Sequence, residues 1–407
     1  MGYSVVLGNR KFSALLVGQI ISLLGDVILT AALSLFVFNL TRTATAISYL
    51  GIAIVVPNLL FSLFAGVIVD RWNRRRIMIV ADLVRCLALF FIPTLYRLGG
   101  LTLSLLYVIV FVWSSSSSFF LPARGAIMPQ IFRNKDHLAS ANSLMNGAFE
   151  ATRLIGLGVS GFFIIVFTAI GAAALDSATF LVSALFVLTM GAVASPSRAS
   201  AKAKAVSGFL QDISEGLNYV WKHFVIRVVL ISTMLANFFV GIGLGFVVVY
   251  AEEALSAGTI GYTELLTASS VGVVVGSLLV GKVKFRKHLG MTLILASILI
   301  GVAIISLSPQ TNLSAAIPLT IFFGFCLAIY NVNYINMLQA TVPNKMLGRV
   351  MSLDQIFSFA ILPLSFAIGG PLVDFIGIRA AYLLSGIMII LIGSATFISR
   401  KFREYSY

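Results

Sequence analysis

Charged residues interrupt the long apolar runs of this sequence at a few positions. Asp26 lies near the middle of the first run, far in sequence from any basic residue. Asp82 and Arg85 are three residues apart, as are Glu150 and Arg153, so each pair shares one face of a helix. Burial in apolar surroundings disfavours the charged form of a carboxyl group, which suits a group that must gain and lose protons. Asp26 is therefore the leading candidate for a proton-coupling or substrate site.

The two acid–base pairs lead to different interpretations. Asp82 and Arg85 are interpreted as a mainly structural charge pair, because an adjacent arginine favours the charged form of a carboxylate. For Glu150 and Arg153, a structural role and a role in coupling are both open. Asp354, early in a later apolar run, is another candidate for proton coupling or substrate binding. Ionisable residues inside apolar spans are costly and are functional candidates by default.

The second half of the chain offers amide and aromatic side chains in place of these acids. Tyr330, Asn333 and Asn336 lie in one apolar run, and Asn237 lies in an earlier one. We expect them to line the wall of a polar cavity, although the amides of the later run cannot all share one helix face. The five serines of Ser114–Ser118 cover more than one helical turn, so some must bond to their own helix or allow close packing.

The composition indicates what positions these residues. The chain has 407 residues, of which 59% are hydrophobic and 10% charged, whereas a soluble domain is roughly half apolar and a quarter charged. The apolar runs have the length of about 20 residues that a spanning helix needs, and they lack the alternation of a membrane barrel. We predict an all-α membrane protein with twelve transmembrane helices, at residues 12–40, 44–69, 77–97, 101–130, 139–168, 171–194, 224–250, 260–281, 289–308, 313–340, 349–376 and 378–399.

The basic residues predict the orientation of these spans. Most of the 28 Lys and Arg residues fall in segments predicted to face the cytoplasm, and the outer loops hold only Arg42, Arg97 and Arg379. This bias places both termini in the cytoplasm. It also accounts for the net charge of +14 without nucleic-acid binding, so nucleic acid is excluded as a partner. The histidines lack metal-ligand spacing and no catalytic constellation is present, so no metal, cofactor or enzymatic activity is predicted.

The loop between the second and third runs carries a dense cluster of charges. We name Gly66 to Arg76, GVIVDRWNRRR, the signature loop. It resembles the loop between spans 2 and 3 of major facilitator transporters, which usually has Gly at the position of Asn73. Gly66 is expected to permit close helix contact, and Asn73 to tolerate a left-handed turn. The resemblance implies a cytoplasmic conformational latch, for which the alternative is a simple positive-inside anchor. The latch would comprise Gly66, Asp70, Arg71, Arg74 and Arg75.

An internal repeat divides the chain into two halves. Residues 132–143 align with 342–353, and the same spacing places Gly66 on Gly276. Parallel repeats of six spans, related by an axis along the membrane normal, describe the major facilitator architecture. We predict an N-terminal six-helix bundle at 1–194, a cytoplasmic linker with an amphipathic helix at 195–223, and a C-terminal six-helix bundle at 224–407.

Further motifs resemble one branch of this superfamily, the third drug:proton antiporter family, which contains macrolide efflux pumps and the enterobactin exporter. The motifs are Leu24-Gly25-Asp26, Pro57, Asp82-Leu83-Val84-Arg85, Pro122-Ala123-Arg124 and Ala141-Asn142-Ser143-Leu144. The resemblance implies proton-coupled efflux of an amphipathic or lipophilic small molecule by alternating access. It also implies a monomer that contacts membrane lipids in a prokaryotic cytoplasmic membrane.

Other functions of such a chain remain open. The same fold would serve a siderophore or lipid transporter. A passive channel or a membrane scaffold without transport would belong to another class. Concentrative flux that depends on a pH gradient distinguishes these functions, because a channel does not concentrate its substrate and a scaffold shows no flux.

Overall fold

A computed structural model of the chain describes residues 2–191, 205–282, 289–397 and Phe402. Within these residues the secondary structure is helical, with one π-helical turn at Tyr250–Ala254. The helices are α1 (Gly2–Leu7), α2 (Arg10–Thr41), α3 (Ala44–Arg71), α4 (Arg74–Arg97), α5 (Leu103–Ile131), α6 (Lys135–Thr189), α7 (Ala205–Lys222), α8 (Phe224–Gly245), α9 (Val247–Val249), α10 (Gly258–Lys282), α11 (Leu289–Leu307), α12 (Leu313–Thr341), α13 (Asn344–Ile376) and α14 (Ile378–Phe397).

Eleven helices in the described part of the chain are long and apolar enough to cross a membrane. The 55 residues of α6 would measure about 80 Å as one straight helix, far more than the roughly 30 Å of a hydrocarbon core. Its course breaks at Thr168, where φ is 59° and ψ is 176°. A β-branched residue rarely adopts positive φ. The break lies where spans 5 and 6 were predicted to meet, so α6 supplies two spans.

The chain forms two compact units. The first comprises Met1–Val37 and Ile52–Lys204, and the second comprises Phe38–Gly51 and Ala205–Tyr407. The segment Phe38–Gly51 therefore packs with the second unit, although the repeat assigns it to the first half of the sequence. The helix α7 also packs with the second unit.

The two units share a pattern of internal helix contacts. In the first, α4 packs against α5 and α6. In the second, α11 packs against α12 and α14, which are the corresponding spans of the predicted repeat. Both units therefore place their third span against their fourth and sixth.

A small residue allows two helices of the second unit to touch. A Cβ atom added at Gly272 on α10 would lie 2.0 Å from the carbonyl oxygen of Ile321 on α12. The converse holds at Gly324, where a Cβ atom would lie 2.2 Å from the carbonyl oxygen of Ser269. Close backbone approach through small residues is a common way for helices to associate in membranes.

The helix α7 lies in the segment predicted to be a cytoplasmic linker with an amphipathic helix. It packs against α13, and Glu215 forms an ion pair with Arg349 at 2.5 Å. Among its apolar side chains, Val220 is buried but Leu217 is 37% exposed. Helix packing and an ion pair therefore hold this segment in addition to any lipid contact.

Candidate functional site

A cavity of about 310 Å³ with both charged and apolar lining residues lies inside the first unit. Its charged lining comes from four different helices: Asp26 on α2, Arg85 on α4, Arg124 on α5, and Glu150 and Arg153 on α6. The spacing of these residues in sequence gives little indication that they meet. The structure thus brings Asp26 together with both members of the Glu150 and Arg153 pair.

An apolar cluster adjoins this cavity. Buried side chains from the same four helices pack there, among them Phe12, Met78, Phe120 and Met145. Phe120 also lines the cavity. The packing that orders the four helices therefore also fixes the positions from which their charged residues project.

Asp26 carries a carboxylate oxygen, Oδ1, that is buried without a hydrogen-bond partner in the described part of the chain. A buried charge without a partner is costly, so this oxygen favours a proton or a bound cationic group. The Trp113 side chain on α5 interacts with the Asp26 carboxyl group. The sequence showed no local partner for Asp26, and the tertiary structure adds Arg85 in the same cavity.

Asp82 and Arg85 form a buried ion pair in which Arg85 Nη2 donates to Asp82 Oδ1. The second carboxylate oxygen accepts a hydrogen bond of 2.8 Å from Ser183 Oγ. The guanidinium of Arg85 lies between two aromatic rings, 4.5 Å from the centroid of Phe120 and 4.3 Å from that of Phe180. Such cation–π contacts are favourable when desolvated. Both residues of the pair thus have further contacts, although Arg85 Nε has no hydrogen-bond partner among the described residues, and the bond from Ser183 links α4 to α6.

Glu150 and Arg153 both line the cavity and both are exposed. No ion pair joins them among those formed by the described residues. The neighbouring Arg124 instead lies over the ring of Phe149, 4.4 Å from its centroid. Their role in coupling stays a prediction, and the geometry leaves both side chains accessible from the cavity.

Two residues of this region were missed by the sequence reasoning. Arg124, named above only as part of the motif Pro122-Ala123-Arg124, lines the cavity. Asp176, in the second span of α6, is fully buried and accepts a hydrogen bond of 2.8 Å from Thr179 Oγ1. The cost of an ionisable residue within an apolar run, the signal that identified Asp26, was sufficient to find Asp176 as well.

Two candidates in the second unit, Asp354 and Tyr330, belong to neighbouring hydrogen-bonded pairs. Tyr334 Oη donates to Asp354 Oδ1. Tyr330 stacks with Tyr334, with 6.2 Å between ring centroids, and is hydrogen-bonded to Thr233 Oγ1 at 2.8 Å. Asp354 therefore has a neutral donor as its partner, and Tyr330 is packed inside the network.

One of the amide candidates, Asn333, differs from the prediction of a cavity wall. Asn333 is only 2% exposed, and its Nδ2 donates to the carbonyl oxygen of Ile329 one turn earlier at 2.8 Å. A polar side chain that bonds to its own helix satisfies itself without a cavity. Asn237 and Asn336 are half-buried and keep their candidate status.

The signature loop departs from two expectations. Among the described residues, nothing lies within 4 Å of a Cβ atom added at Gly66, so Gly66 makes no close helix contact, whereas at Gly276 such an atom would meet a carbonyl oxygen of α12 at 2.6 Å. Asn73 has φ −69°, so it forms no left-handed turn. Its side chain caps α4 by accepting a hydrogen bond of 3.2 Å from the Arg76 backbone N–H. The side chain of Asp70 lies outside the described residues.

Arg75 bonds within the first unit. Its Nε donates to the carbonyl oxygen of Val187 at 3.1 Å and its Nη2 to that of Leu188 at 2.6 Å. These are carbonyls of the last turn of α6, where a basic group is favourable. Arg71 is exposed and Arg74 is half-buried. The latch role of the signature loop stays a prediction, and Arg75 ties the loop to the end of α6.

The serine run receives a structural explanation. Ser114 Oγ donates to the carbonyl oxygen of Ile54, and Ser118 Oγ donates to that of Pro57 at 3.4 Å and to Asn58 Oδ1 at 3.0 Å. Pro57 lies inside α3 and lacks an N–H group, which loosens the backbone bonds around it. The other three serines bond to carbonyls of their own helix. Two serines thus supply polar partners to the region around a proline in a neighbouring span.

Comparisons with known proteins identify relatives over almost the whole chain. The family model described as "transmembrane secretion effector" matches residues 5–406. The multidrug efflux pump Tap of Mycolicibacterium fortuitum is 27% identical over 406 residues, covering 97% of this chain and 95% of that protein. Macrolide efflux protein A of Streptococcus pyogenes is 24% identical over 388 residues, covering 94% of each.

The fold has close counterparts among solved structures. The nucleoside transporter NupG superposes with a TM-score of 0.73 at 12% identity, covering 97% of this chain and 100% of that one. A bacterial homologue of the human lysosomal transporter Spinster gives 0.69 at 11% identity, covering 97% and 99%. At this identity the likeness establishes the fold alone. Taken with the family match, it shows that the chain belongs to the transmembrane secretion effector family of the major facilitator superfamily and is a multi-pass membrane transporter.

Proposed function

We propose that the protein exports an amphipathic small molecule in exchange for protons, by alternating access. The observation that carries this proposal is the cavity of the first unit, where the buried and unpartnered Oδ1 of Asp26 faces a lining that includes three arginines. The names of the relatives, a multidrug efflux pump and a macrolide efflux protein, support the direction and the class of substrate.

The cavity charges give a physical basis for coupling. Two unit charges 4 Å apart interact by about 4 kcal/mol at an effective dielectric constant of about 20. Protonation of Asp26 changes the cavity charge by one, so a charged substrate binds the two protonation states differently. A ligand shifts an equilibrium only through such a difference in affinity. Proton binding and substrate binding in this cavity are therefore linked.

The cavity lining also indicates the chemistry of the substrate. Beside the charged groups, the lining contains apolar side chains, among them Leu23, Leu121 and Phe149. A ligand that fills such a space needs an apolar body and at least one polar or charged group. This favours an amphipathic molecule over a sugar or an inorganic ion.

Alternating access requires packed contacts at one membrane face to separate. Within the second unit, Asp374 on α13 holds the start of α3. Its Oδ1 accepts a hydrogen bond of 2.6 Å from the Ala44 backbone N–H, and its Oδ2 accepts bonds from Thr45 N at 2.9 Å and Thr45 Oγ1 at 2.5 Å. A carboxylate at a helix N-terminus satisfies otherwise unpaired N–H groups and complements the helix dipole. We assign this clasp to the outer face, on the predicted topology.

Replacing Asp374 with Ala is expected to open the clasp, because loss of an N-terminal cap costs about 1 kcal/mol, or roughly a fivefold change in an equilibrium. Ser48 is 2% exposed beneath the clasp, and a Cβ atom added at Gly370 would lie 2.0 Å from its Oγ. In a variant without the native cysteines, Ser48→Cys should react several-fold faster with a thiol reagent when Asp374→Ala is present. Asn312→Ala, which removes the N-cap residue of α12, serves as the control. Equal labelling rates with and without Asp374→Ala would exclude the clasp.

The proposal includes an orientation and a location. Both termini face the cytoplasm of a prokaryotic cell, because the basic residues lie mainly on that side of the predicted topology. Exposed apolar side chains such as Phe90 and Leu391, 56% and 55% exposed, face lipid. The transporter acts as a monomer, since each unit of the superfamily fold completes its own bundle.

The decisive experiment is flux through purified protein in proteoliposomes with an imposed pH gradient. A macrolide and a lipophilic cationic dye serve as probes. We expect accumulation against a concentration gradient that collapses when a protonophore is added. Downhill flux without accumulation would indicate a channel. Absence of flux with either probe, together with absence of ligand-induced thermal stabilisation across a wider panel, would indicate a scaffold.

A further inference from the structure

Asp176 is a buried acid that has no role if proton coupling depends on Asp26 alone. Its side chain is 0% exposed, and its Oδ2 has no hydrogen-bond partner among the described residues. Its Oδ1 accepts a bond of 2.8 Å from Thr179 Oγ1. Burial of a charged carboxylate is costly when one of its oxygens accepts no hydrogen bond. The site therefore needs a counter-charge that the neighbouring side chains do not supply.

The Asp176 carboxyl group lies against the backbone of the residue before Asp26. A Cβ atom added at Gly25 would lie 2.1 Å from Asp176 Oδ1 and 2.9 Å from Thr179 Oγ1. Because Gly25 has no side chain, nothing separates this part of α2 from Asp176. Gly25 is the chain neighbour of Asp26, so the Asp176 carboxyl group lies beside the residue that carries the other buried acid, and negative charges on both would repel each other. The sequence Leu24-Gly25-Asp26 thus places one acid on α2 and makes room for a second acid on α6.

The charges around the two acids do not balance them. The charged groups that line the cavity with Asp26 are Arg85 on α4, Arg124 on α5, and Glu150 and Arg153 on α6, and Asp82 is paired with Arg85. Arg85 is already bound to Asp82 and stacked between two aromatic rings. Arg124 and Arg153 line the cavity, and so does the acidic residue Glu150. Within this group, no basic residue is bonded to Asp26 or Asp176.

A nearby donor is also left without a partner. The indole of Trp113 is 5% exposed, and its Nε1 has no hydrogen-bond partner of normal geometry among the described residues. The same side chain interacts with the Asp26 carboxyl group. The site therefore holds a buried donor and buried carboxylate oxygens whose hydrogen bonding is incomplete.

We propose that Asp26 and Asp176 form a pair that binds one exchangeable proton, with Asp176 as its second proton-carrying side chain. This inference rests on the proton coupling proposed above. A proton reaches the pair through the cavity, forms one O–H bond with either carboxylate, and leaves when that bond breaks. Two close carboxyl groups that share one proton titrate as a unit, because both cannot be charged without strong repulsion.

The pair predicts opposite effects for two variants. Asp176→Asn removes the like charge, so Asp26 should bind its proton about tenfold more weakly, and the midpoint of proton uptake should fall by about one pH unit. Thr179→Val keeps both acids but removes the hydrogen bond that favours the charged form, so the midpoint should rise. Asp136→Asn, an exposed acid at the start of α6, is the matched control and should leave the midpoint unchanged.

Infrared difference spectroscopy of the purified protein measures this protonation without transport. A carboxylic-acid C=O band should titrate in the wild type, shift in midpoint in Asp176→Asn, and disappear in the Asp26→Asn/Asp176→Asn double variant. A band with the wild-type midpoint in Asp176→Asn would overturn the pair. If Asp176→Asn does not fold, Thr179→Val decides, since an unmoved midpoint there would equally overturn it.

Flux separates this inference from the proposed function. Suppose that the C=O band shifts in the variants as expected but the protein shows no pH-driven flux. This result would refute proton coupling and would support the pair as a proton-binding site. Proton-driven flux with the same pH midpoint in wild type, Asp176→Asn and Thr179→Val would support coupling and defeat the pair. Opposite shifts of the flux midpoint in the two variants, parallel to those of the band, would support both.

Discussion

Asp26→Asn is expected to reduce pH-gradient-driven transport in proteoliposomes to the background of vesicles without protein. The substitution keeps the size and shape of the side chain but leaves no group at position 26 that can release a proton. The buried Oδ1 lacks a partner, so the folded protein gains little from the charge that is lost. The variant should therefore fold and bind a probe ligand while the linkage between binding and pH disappears.

Two measurements make this result specific. The purified variant should still bind the macrolide probe, as measured by thermal stabilisation. This binding should no longer depend on pH. Asp136→Asn is again the control, because this acid is exposed and remote from the cavity lining. Retention of full accumulation by Asp26→Asn would refute the assignment of Asp26. It would leave Glu150, the other acid of the cavity lining, as the next residue to test there.

The spans were predictable from sequence because their signal is local. A run of about 20 apolar residues can be recognised without knowing its neighbours. The break at Thr168 fell at the predicted border of two spans, since the small and polar residues there interrupt the run. The repeat was visible for the same reason, because its loops carry recognisable motifs such as Asn134-Lys135 and Asn344-Lys345.

The candidate site was only partly predictable because it is tertiary. Asp26 and Glu150 were found from their cost inside apolar runs, but their meeting in one cavity depends on the packing of four helices. The isolation of Asp26 in sequence did not reveal the second acid at Asp176. Asn333 satisfies itself on its own helix, which composition alone cannot distinguish from a role in a cavity wall. Polar residues in spans thus reveal their roles only through their partners.

The glycines show the same limit, because a glycine that no atom approaches and one in tight contact look alike in sequence. Gly66 was expected to permit close contact and has open space among the described residues, whereas Gly272 has a carbonyl oxygen 2.0 Å from its added Cβ position. Only the structure tells which glycine carries a packing constraint. This difference yields a prediction with a large effect on stability.

Gly272→Ala is expected to destabilise the protein strongly. The added methyl group would also lie 2.8 Å from the backbone N of Phe325, so it meets backbone atoms that no side-chain rotation can move. Overpacking costs about 1–3 kcal/mol when side chains can adjust, and more when they cannot. α10 and α12 must therefore separate, which loosens the packing of α12 against α11 as well. Yield and unfolding temperature in detergent should both fall.

The sign of the effect distinguishes packing from helix propensity. Ala is favoured over Gly inside a helix by roughly 0.8–1.0 kcal/mol, so a glycine without close neighbours should gain from the same change. Gly158 on α6 is such a position, with nothing described within 4 Å of its added Cβ atom. Gly158→Ala should leave the unfolding temperature unchanged or raise it, while Gly272→Ala lowers it. Equal unfolding temperatures for the two variants would mean that α10 and α12 do not approach through Gly272, because a contact at 2.0 Å cannot accept a methyl group without moving a helix.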